Sequence, residues 1–219
     1  MRETRPEGIP EATLGRLHHY RVMLGRLQRA GQQTVSSRKL GELTGASAEV
    51  VRKDLSWLGA YGQRGVGYEV EGLLRRLEEE FRPTSPCPLV ILGAGNLGAA
   101  VAAYAGFDLQ GYRVVAVLDS NPARVGHRLQ GMVVRHMRDL PQVVQETGVE
   151  IGVLTVPAVQ ANAVAEWCAA AGLSGLLSFS PVQPPAPAPL VVRYVNFAEQ
   201  LQILRCQLRD SGAHTPERV

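Results

Sequence analysis

The stretch LVILGAGNLGAA at residues 89–100 constrains the fold more than any other part of the chain. An apolar run of strand length leads into Gly93, Gly95 and Gly98, and an alanine-rich helical segment leaves them. Each glycine in this G-x-G-x-x-G spacing has a physical reason. The first permits a tight turn, the second lets a diphosphate approach the backbone, and the third lets helix pack close to strand. The segment Gly93, Ala94, Gly95, Asn96, Leu97, Gly98 would then hold an anion at a helix N-terminus. A second strand, YRVVAVLD, ends in Asp119, 21 residues beyond the last glycine. A carboxylate there can accept hydrogen bonds from the adenosine ribose and repel a 2′-phosphate, so the pattern points to NAD or NADH rather than NADP(H), with Arg124 as a nearby opposing charge.

The residues that follow continue the alternation. Strand GMVVR, helix LPQVVQET, strand IGVLTVP, helix AVQANAVAEWCAAAG and strand GLLSFSP predict an α/β, Rossmann-like, doubly wound parallel sheet. Thr155, Val156 and Pro157 end one strand and Phe179 ends another, at the carboxyl edge where ligands bind in such sheets. VQPPAPAPL then reads as a stiff proline-rich connector. In the final NFAEQLQILRCQLRD, Phe197, Leu201, Leu204 and Leu208 are spaced four, three and four apart. Such a stripe packs either on its own domain or into a partner subunit, and the near-heptad spacing suits the second.

Charge separates the front of the chain from the rest. Residues 12–68 hold nine Arg and Lys against three Asp and Glu, whereas residues 83–219 hold nine of each. Segregation of that kind suggests a polyanion partner for the first third. There, EATLGRLHHYRVMLGRLQRAG predicts a helix with Leu14, Leu17, Met23, Leu24 and Leu27 on its buried face and Gly31 as its stop. SSRKLGELTGA predicts a second helix capped by Ser36 or Ser37, with Leu40 and Leu43 inward and Gly45 at its end. SAEVVRKDLSWLG predicts a third, capped by Ser47, with Val51, Leu55 and Leu58 inward and Arg52, Lys53 and Ser56 outward. This is the helix-turn-helix arrangement, with the third helix as the reading element. GAYGQRGVGYEV, with Tyr61, Arg64 and Gly65 amid further glycines, has the chemistry of a β-hairpin wing bearing one cation at its tip. EGLLRRLEEEF reads as a linker helix, and three prolines in RPTSPCP mark a boundary. The division expected is 1–82 for the winged helix and linker, 83–195 for the dinucleotide domain and 196–219 for a dimerisation helix.

Composition excludes other classes. No apolar run approaches the roughly 18 residues that cross a bilayer, and no signal sequence is evident, so a cytoplasmic location without membrane contact is expected. Cys87, Cys168 and Cys206 are odd in number and widely spaced, which fits reduced thiols and neither a disulfide framework nor a metal site. His127 and His136 lack a matched carboxylate, so no catalytic group is assigned. On residues alone, two alternatives stay open: an NAD-dependent oxidoreductase with a helical appendage, and a winged-helix regulator of another nucleotide metabolite.

With these motifs placed, the chain resembles the redox-sensing transcriptional repressor Rex family over nearly its whole length, most specifically in VRKDLSWLGAYGQRGVGY, GAGNLG, LTVPA, GLLSFSP and VNFAEQL. The resemblance implies a homodimer with a swapped final helix, bound to an inverted-repeat operator and released by NADH. It implies DNA contacts from the third helix and wing, and places Tyr104 and Phe197 near the nicotinamide and the dimer contact. NADH would shift the two reading helices away from the spacing of about 34 Å between successive major grooves. One departure stands out. Family members typically carry an Arg two places after the first-helix tyrosine and an Asp before the final-helix phenylalanine, a charge pair that differs between functional states. Here those positions hold Val22, after Tyr20, and Asn196, with Arg21 adjacent to the first.

Overall fold

A computed structural model of the chain describes residues 8–60, 62–83, 85–182 and 187–210. It divides into two compact units, residues 1–83 and 84–219.

In the first unit, α1 (Glu11–Arg29), α2 (Ser37–Thr44) and α3 (Ala48–Ser56) precede α4 (Val70–Phe81), while β1 (Thr34–Val35) pairs antiparallel with β2 (Tyr68–Glu69). The face that α1 buries is Thr13, Leu17, Tyr20 and Leu24; Leu14 is exposed and Met23 and Leu27 only pack at the edge. Thr13 and Tyr20 take part in this face because their hydroxyls donate to Asp54 on α3. Ser36 caps α2 by accepting from the Lys39 N–H at 3.1 Å, and α2 stops at Gly45, whose φ is 72°. Leu40 is buried, and Leu43, expected beside it, is not. Ser47 caps α3 through the Val50 N–H at 3.2 Å. Leu17, Leu40, Val51, Leu55, Leu58, Tyr68 and the Leu73, Leu74 and Leu77 face of α4 close this core.

The second unit is built on β3 (Cys87–Leu92), α5 (Asn96–Ala102), α6 (Gly106–Leu109), β4 (Tyr112–Asp119), the short antiparallel pair β5 (Arg128–Leu129) and β6 (Met132–Val133), and β7 (Arg135–His136). There follow α7 (Leu140–Thr147), β8 (Ile151–Leu154), α8 (Ala158–Ala170), β9 (Gly175–Ser178), β10 (Val191–Tyr194) and α9 (Phe197–Asp210). Six strands form one parallel sheet in the order β10-β9-β8-β3-β4-β7. Counting along the chain this is the 3-2-1-4-5-6 order of a doubly wound fold, with the reversal between β3 and β8. Apolar clusters cover both faces of the sheet, one around Leu92, Leu118, Leu154 and Ala165 and the other around Ile91, Val117 and Val153.

Two strands differ from the sequence reading. GMVVR is not one sheet strand: Met132–Val133 turns back on Arg128–Leu129, and the sheet is extended by Arg135–His136 instead. β10 was not anticipated. It follows a proline run and lies at the sheet edge with alternating exposure, which weakens the apolar signal of a buried parallel strand. Among the described residues, no helix is long and apolar enough to cross a membrane.

Candidate dinucleotide cleft and nucleic-acid interface

The glycine-rich turn leaves β3 at the switch point. Gly93 has φ 109°, a conformation that side chains rarely adopt, and a Cβ there would press on the Thr155 backbone. A Cβ on Gly98 would collide with the Gly93 carbonyl, so only glycine lets α5 start this close to the strand. Thr155 ties the two strand ends together: its Oγ1 donates to the Leu92 carbonyl at 3.1 Å and the Gly93 carbonyl at 2.9 Å. The result is a cleft of about 450 Å³ between the carboxyl ends of β3, β4, β8 and β9.

Of the residues expected to hold the dinucleotide, the cleft is lined by Gly93, Gly95, Asn96, Leu97, Asp119, Thr155, Val156, Pro157 and Phe179. Ala94 joins it through its N–H, which donates to Asp119 Oδ2 at 2.7 Å, and Gly98 is buried behind the turn. Tyr104 is not part of the lining. Its ring lies against Gly106 and meets Phe107 edge-on at 5.3 Å, with more than half its surface exposed. Phe197 packs beside Phe179, with ring centroids 5.9 Å apart.

Asp119 occupies a different position from a carboxylate simply facing a ribose. Its side chain is only 6% exposed, and it accepts from the Ala94 N–H, the Asn121 N–H at 2.7 Å and the Arg124 guanidinium at 3.1 Å. Burial would push its carboxyl up, but the hydrogen bonds from Asn121, Ala94 and Arg124 and the Arg124 charge outweigh it and hold it below the usual carboxylate range. A carboxylate has about four acceptor sites, and three of them are filled by the protein's own donors. Arg124, half exposed at the cleft, therefore stands between this charge and solvent. Pro181 also lines the cleft, and Gln160, Ser120 and Asn121 complete the rim. Sequence reasoning missed these three because they lie on a loop and a helix start with no spacing rule.

On the first unit, Arg52, Lys53 and Ser56 all lie on the exposed face of α3. The Arg52 guanidinium donates to Ser37 Oγ at 3.1 Å, which joins α3 to the start of α2, and Ser56 Oγ donates back to the Lys53 carbonyl at 2.7 Å. The wing is a tight hairpin closed by reciprocal bonds between Gln63 and Gly67 at 2.8 and 2.9 Å, with Arg64, Gly65 and Val66 at its exposed tip. Tyr61 lies outside the described residues.

Of the two positions that depart from the expected charge pair, Asn196 has a local role, while Val22 is exposed on α1 beside Arg21. Asn196 Oδ1 accepts from the Ala198 and Glu199 N–H groups at 3.0 and 3.3 Å and so caps α9, while the Arg21 guanidinium sits 6.0 Å from the Phe81 ring centroid.

Comparison with known proteins finds a family match in each part of the chain. The family described as CoA binding domain matches residues 84–182, and that described as putative DNA-binding protein N-terminus matches residues 8–56. The chain is 43% identical over 201 residues to the redox-sensing transcriptional repressor Rex of Streptomyces griseus, covering 92% of this chain and 79% of that protein. It is 40% identical over 200 residues to Rex of Desulforamulus reducens, covering 91% and 95%. Among solved structures it resembles RSP, a Rex-family repressor, in complex with β-NAD+ and operator DNA, at TM-score 0.83 and 28% identity over 94% of this chain and 95% of that one. The RSP complex with β-NADH gives TM-score 0.82 at 26% identity, over 94% and 97%. With a winged helix-turn-helix and a dinucleotide cleft on one chain, and relatives of this identity over this coverage, the protein belongs to the Rex family of redox-sensing transcriptional repressors.

Proposed function

We propose that this chain acts as a cytoplasmic homodimer that binds an inverted-repeat operator through α3 and the wing and is released when NADH fills the cleft between β3 and β8. The observation that carries the reading is the presence, in one chain, of a cationic reading helix with a wing and a glycine-rich cleft at the sheet's switch point. Lys53 and Arg64 would neutralise phosphates, and Arg52, Ser56 and Ser47 would set the helix against the groove, with Tyr61 as a further DNA contact.

In the cleft, the backbone of Gly93–Gly98 would take the diphosphate, and Asp119 with Arg124 would take the adenosine ribose. Val156, Pro157 and Phe179 would form the wall for the nicotinamide, with Phe197 and Tyr104 at its outer edge. The oxidised ring carries a positive charge that is costly to bury unpaired, whereas the reduced ring is neutral, so an apolar wall favours NADH.

Dimerisation is assigned to α9. Phe197, Leu201, Leu204 and Leu208 lie in a stripe along it, and all four are exposed in the single chain. An apolar stripe of that length on a monomer marks an interaction surface.

The test is the mobility of an AT-rich palindromic duplex with the protein at fixed salt across a series of NADH/NAD+ ratios, with NADPH and coenzyme A as competitors. Release by NADH at ratios where NAD+ and the competitors leave the complex intact is expected. Release by coenzyme A alone, or steady NADH oxidation with small carbonyl compounds, would replace the reading with one of its rivals.

A further inference from the structure

Asp54 is the buried charged side chain of the first unit, at 2% exposure among the described residues, and it lies on α3, the helix assigned above to reading DNA. Nothing in the spacing of α3 demands an acid on its inward face, which otherwise carries Val51 and Leu55. The carboxylate is fully engaged from α1. Arg16 Nε donates to Oδ2 at 2.6 Å and Arg16 Nη2 to Oδ1 at 2.7 Å, in a two-pronged grip. The Tyr20 hydroxyl donates to Oδ2 at 2.9 Å and the Thr13 hydroxyl to Oδ1 at 3.2 Å. Thr13 Oγ1 in turn accepts from Arg16 Nη2 at 3.1 Å, so the donors are cross-braced. All of the roughly four acceptor sites of a carboxylate are thereby filled.

We propose that Asp54, held by Arg16, Tyr20 and Thr13, is a positioning residue that fixes the rotation and depth of α3, and that operator recognition depends on this grip. The proposal rests on the reading of α3 as the DNA-reading helix. Apolar contact is non-directional, so the Val51 and Leu55 packing tolerates small rotations of α3 about its axis. Hydrogen bonds are not tolerant in this way, because they weaken steeply with angle. With side chains the helix has a radius of about 5–6 Å, so a rotation of about 10° carries the outward groups through about 1 Å. That displacement is large against the geometry that a base-edge hydrogen bond accepts. Lys53 is bonded to Asp54 in the chain and Arg52 and Ser56 are two residues away on either side, so a rotation at Asp54 is transmitted to all three without loss. A buried ion pair is in general a weak source of stability and is often replaceable by apolar residues of similar volume. What such a substitution removes is the directionality.

The experiment therefore separates stability from recognition. Full-length protein carrying Arg16→Met, Tyr20→Phe and Asp54→Leu together is compared with wild type. The readouts are thermal unfolding, NADH titration, binding to a palindromic duplex selected by the wild-type protein from a random library, and binding to a scrambled duplex at the same salt. The triple variant is expected to keep its NADH affinity and its affinity for the scrambled duplex, while its preference for the selected duplex falls about tenfold or more, the worth of about one misplaced base contact. A retained preference overturns the proposal. Should the triple variant fail to fold, Tyr20→Phe decides, since it removes one hydroxyl: a lowered preference with unchanged NADH binding supports the grip, and an unchanged preference overturns it. Arg16→Lys, which replaces the fork with a single point charge, is expected not to restore the preference. If wild-type protein selects no duplex at all, the functional reading of α3 fails, which is a different result from loss of preference in the variants.

Discussion

Gly98 and Asp119 show how different the constraints on single residues can be. At Gly98 the constraint is volume, because any Cβ meets the Gly93 carbonyl. Gly98→Ala is expected to cost about 1–3 kcal/mol in stability through overpacking and to abolish measurable NADH binding, checked by thermal unfolding and fluorescence titration. At Asp119 the constraint is acceptor count. Asp119→Asn leaves one oxygen and one NH2 facing three donors, so NADH affinity should fall about tenfold as the Ala94 turn loses its anchor. Both Asp119 and Asp54 are held below the usual carboxylate range, Asp54 because hydrogen bonds from Arg16 and Tyr20 and the Arg16 charge exceed the opposing effect of burial. A depressed carboxyl stabilises the folded state fully above its unfolded pKa and loses that contribution as pH falls through the folded one. Unfolding midpoints should therefore be flat with respect to these groups near neutrality and decline below about pH 4, and the decline should be shallower in Asp119→Asn. An identical acid limb in the variant would show that Asp119 is not paired.

The elements with strong local rules were readable from sequence, and those whose partners lie far along the chain were not. The turn at 93–98 carries its own chemistry, and so do the Ser36 and Ser47 caps, the wing glycines and the Phe197–Leu208 stripe. The inward turn of Tyr20 and Thr13 was hidden because its cause, Asp54, is more than thirty residues away. The committed acceptors of Asp119 were hidden for the same reason, since the donor at Ala94 reaches across from another strand end. β10 was obscured by the prolines ahead of it, and β7 by a turn that diverted Met132–Val133 into a hairpin. On the wing, Arg64 is exposed at the tip of a closed hairpin, so Arg64→Ala should reduce the salt slope of duplex binding by about one phosphate contact and leave NADH binding unchanged. On α9, Leu201→Glu with Leu204→Glu should give a folded monomer by light scattering, because both side chains are exposed in the single chain and lie on the apolar stripe.

For the whole molecule, sensing requires that the two surfaces be coupled in free energy. A ligand releases DNA only by favouring the form that holds DNA less well, and linkage makes the effect reciprocal. Operator must then weaken NADH by the same factor by which NADH weakens operator, with couplings of this kind typically about 1–3 kcal/mol. The positions of Val22 and Asn196 sharpen the point. With Asn196 used as the cap of α9 and no acid beside Phe197, the coupling in this chain must run through groups other than a charge pair at those two positions. Calorimetric titration of NADH into the full-length protein, alone and with saturating palindromic duplex, is the most direct measurement of it. The account predicts a weaker NADH affinity in the presence of duplex, by the factor found in the converse titration; equal affinities in the two titrations would contradict it.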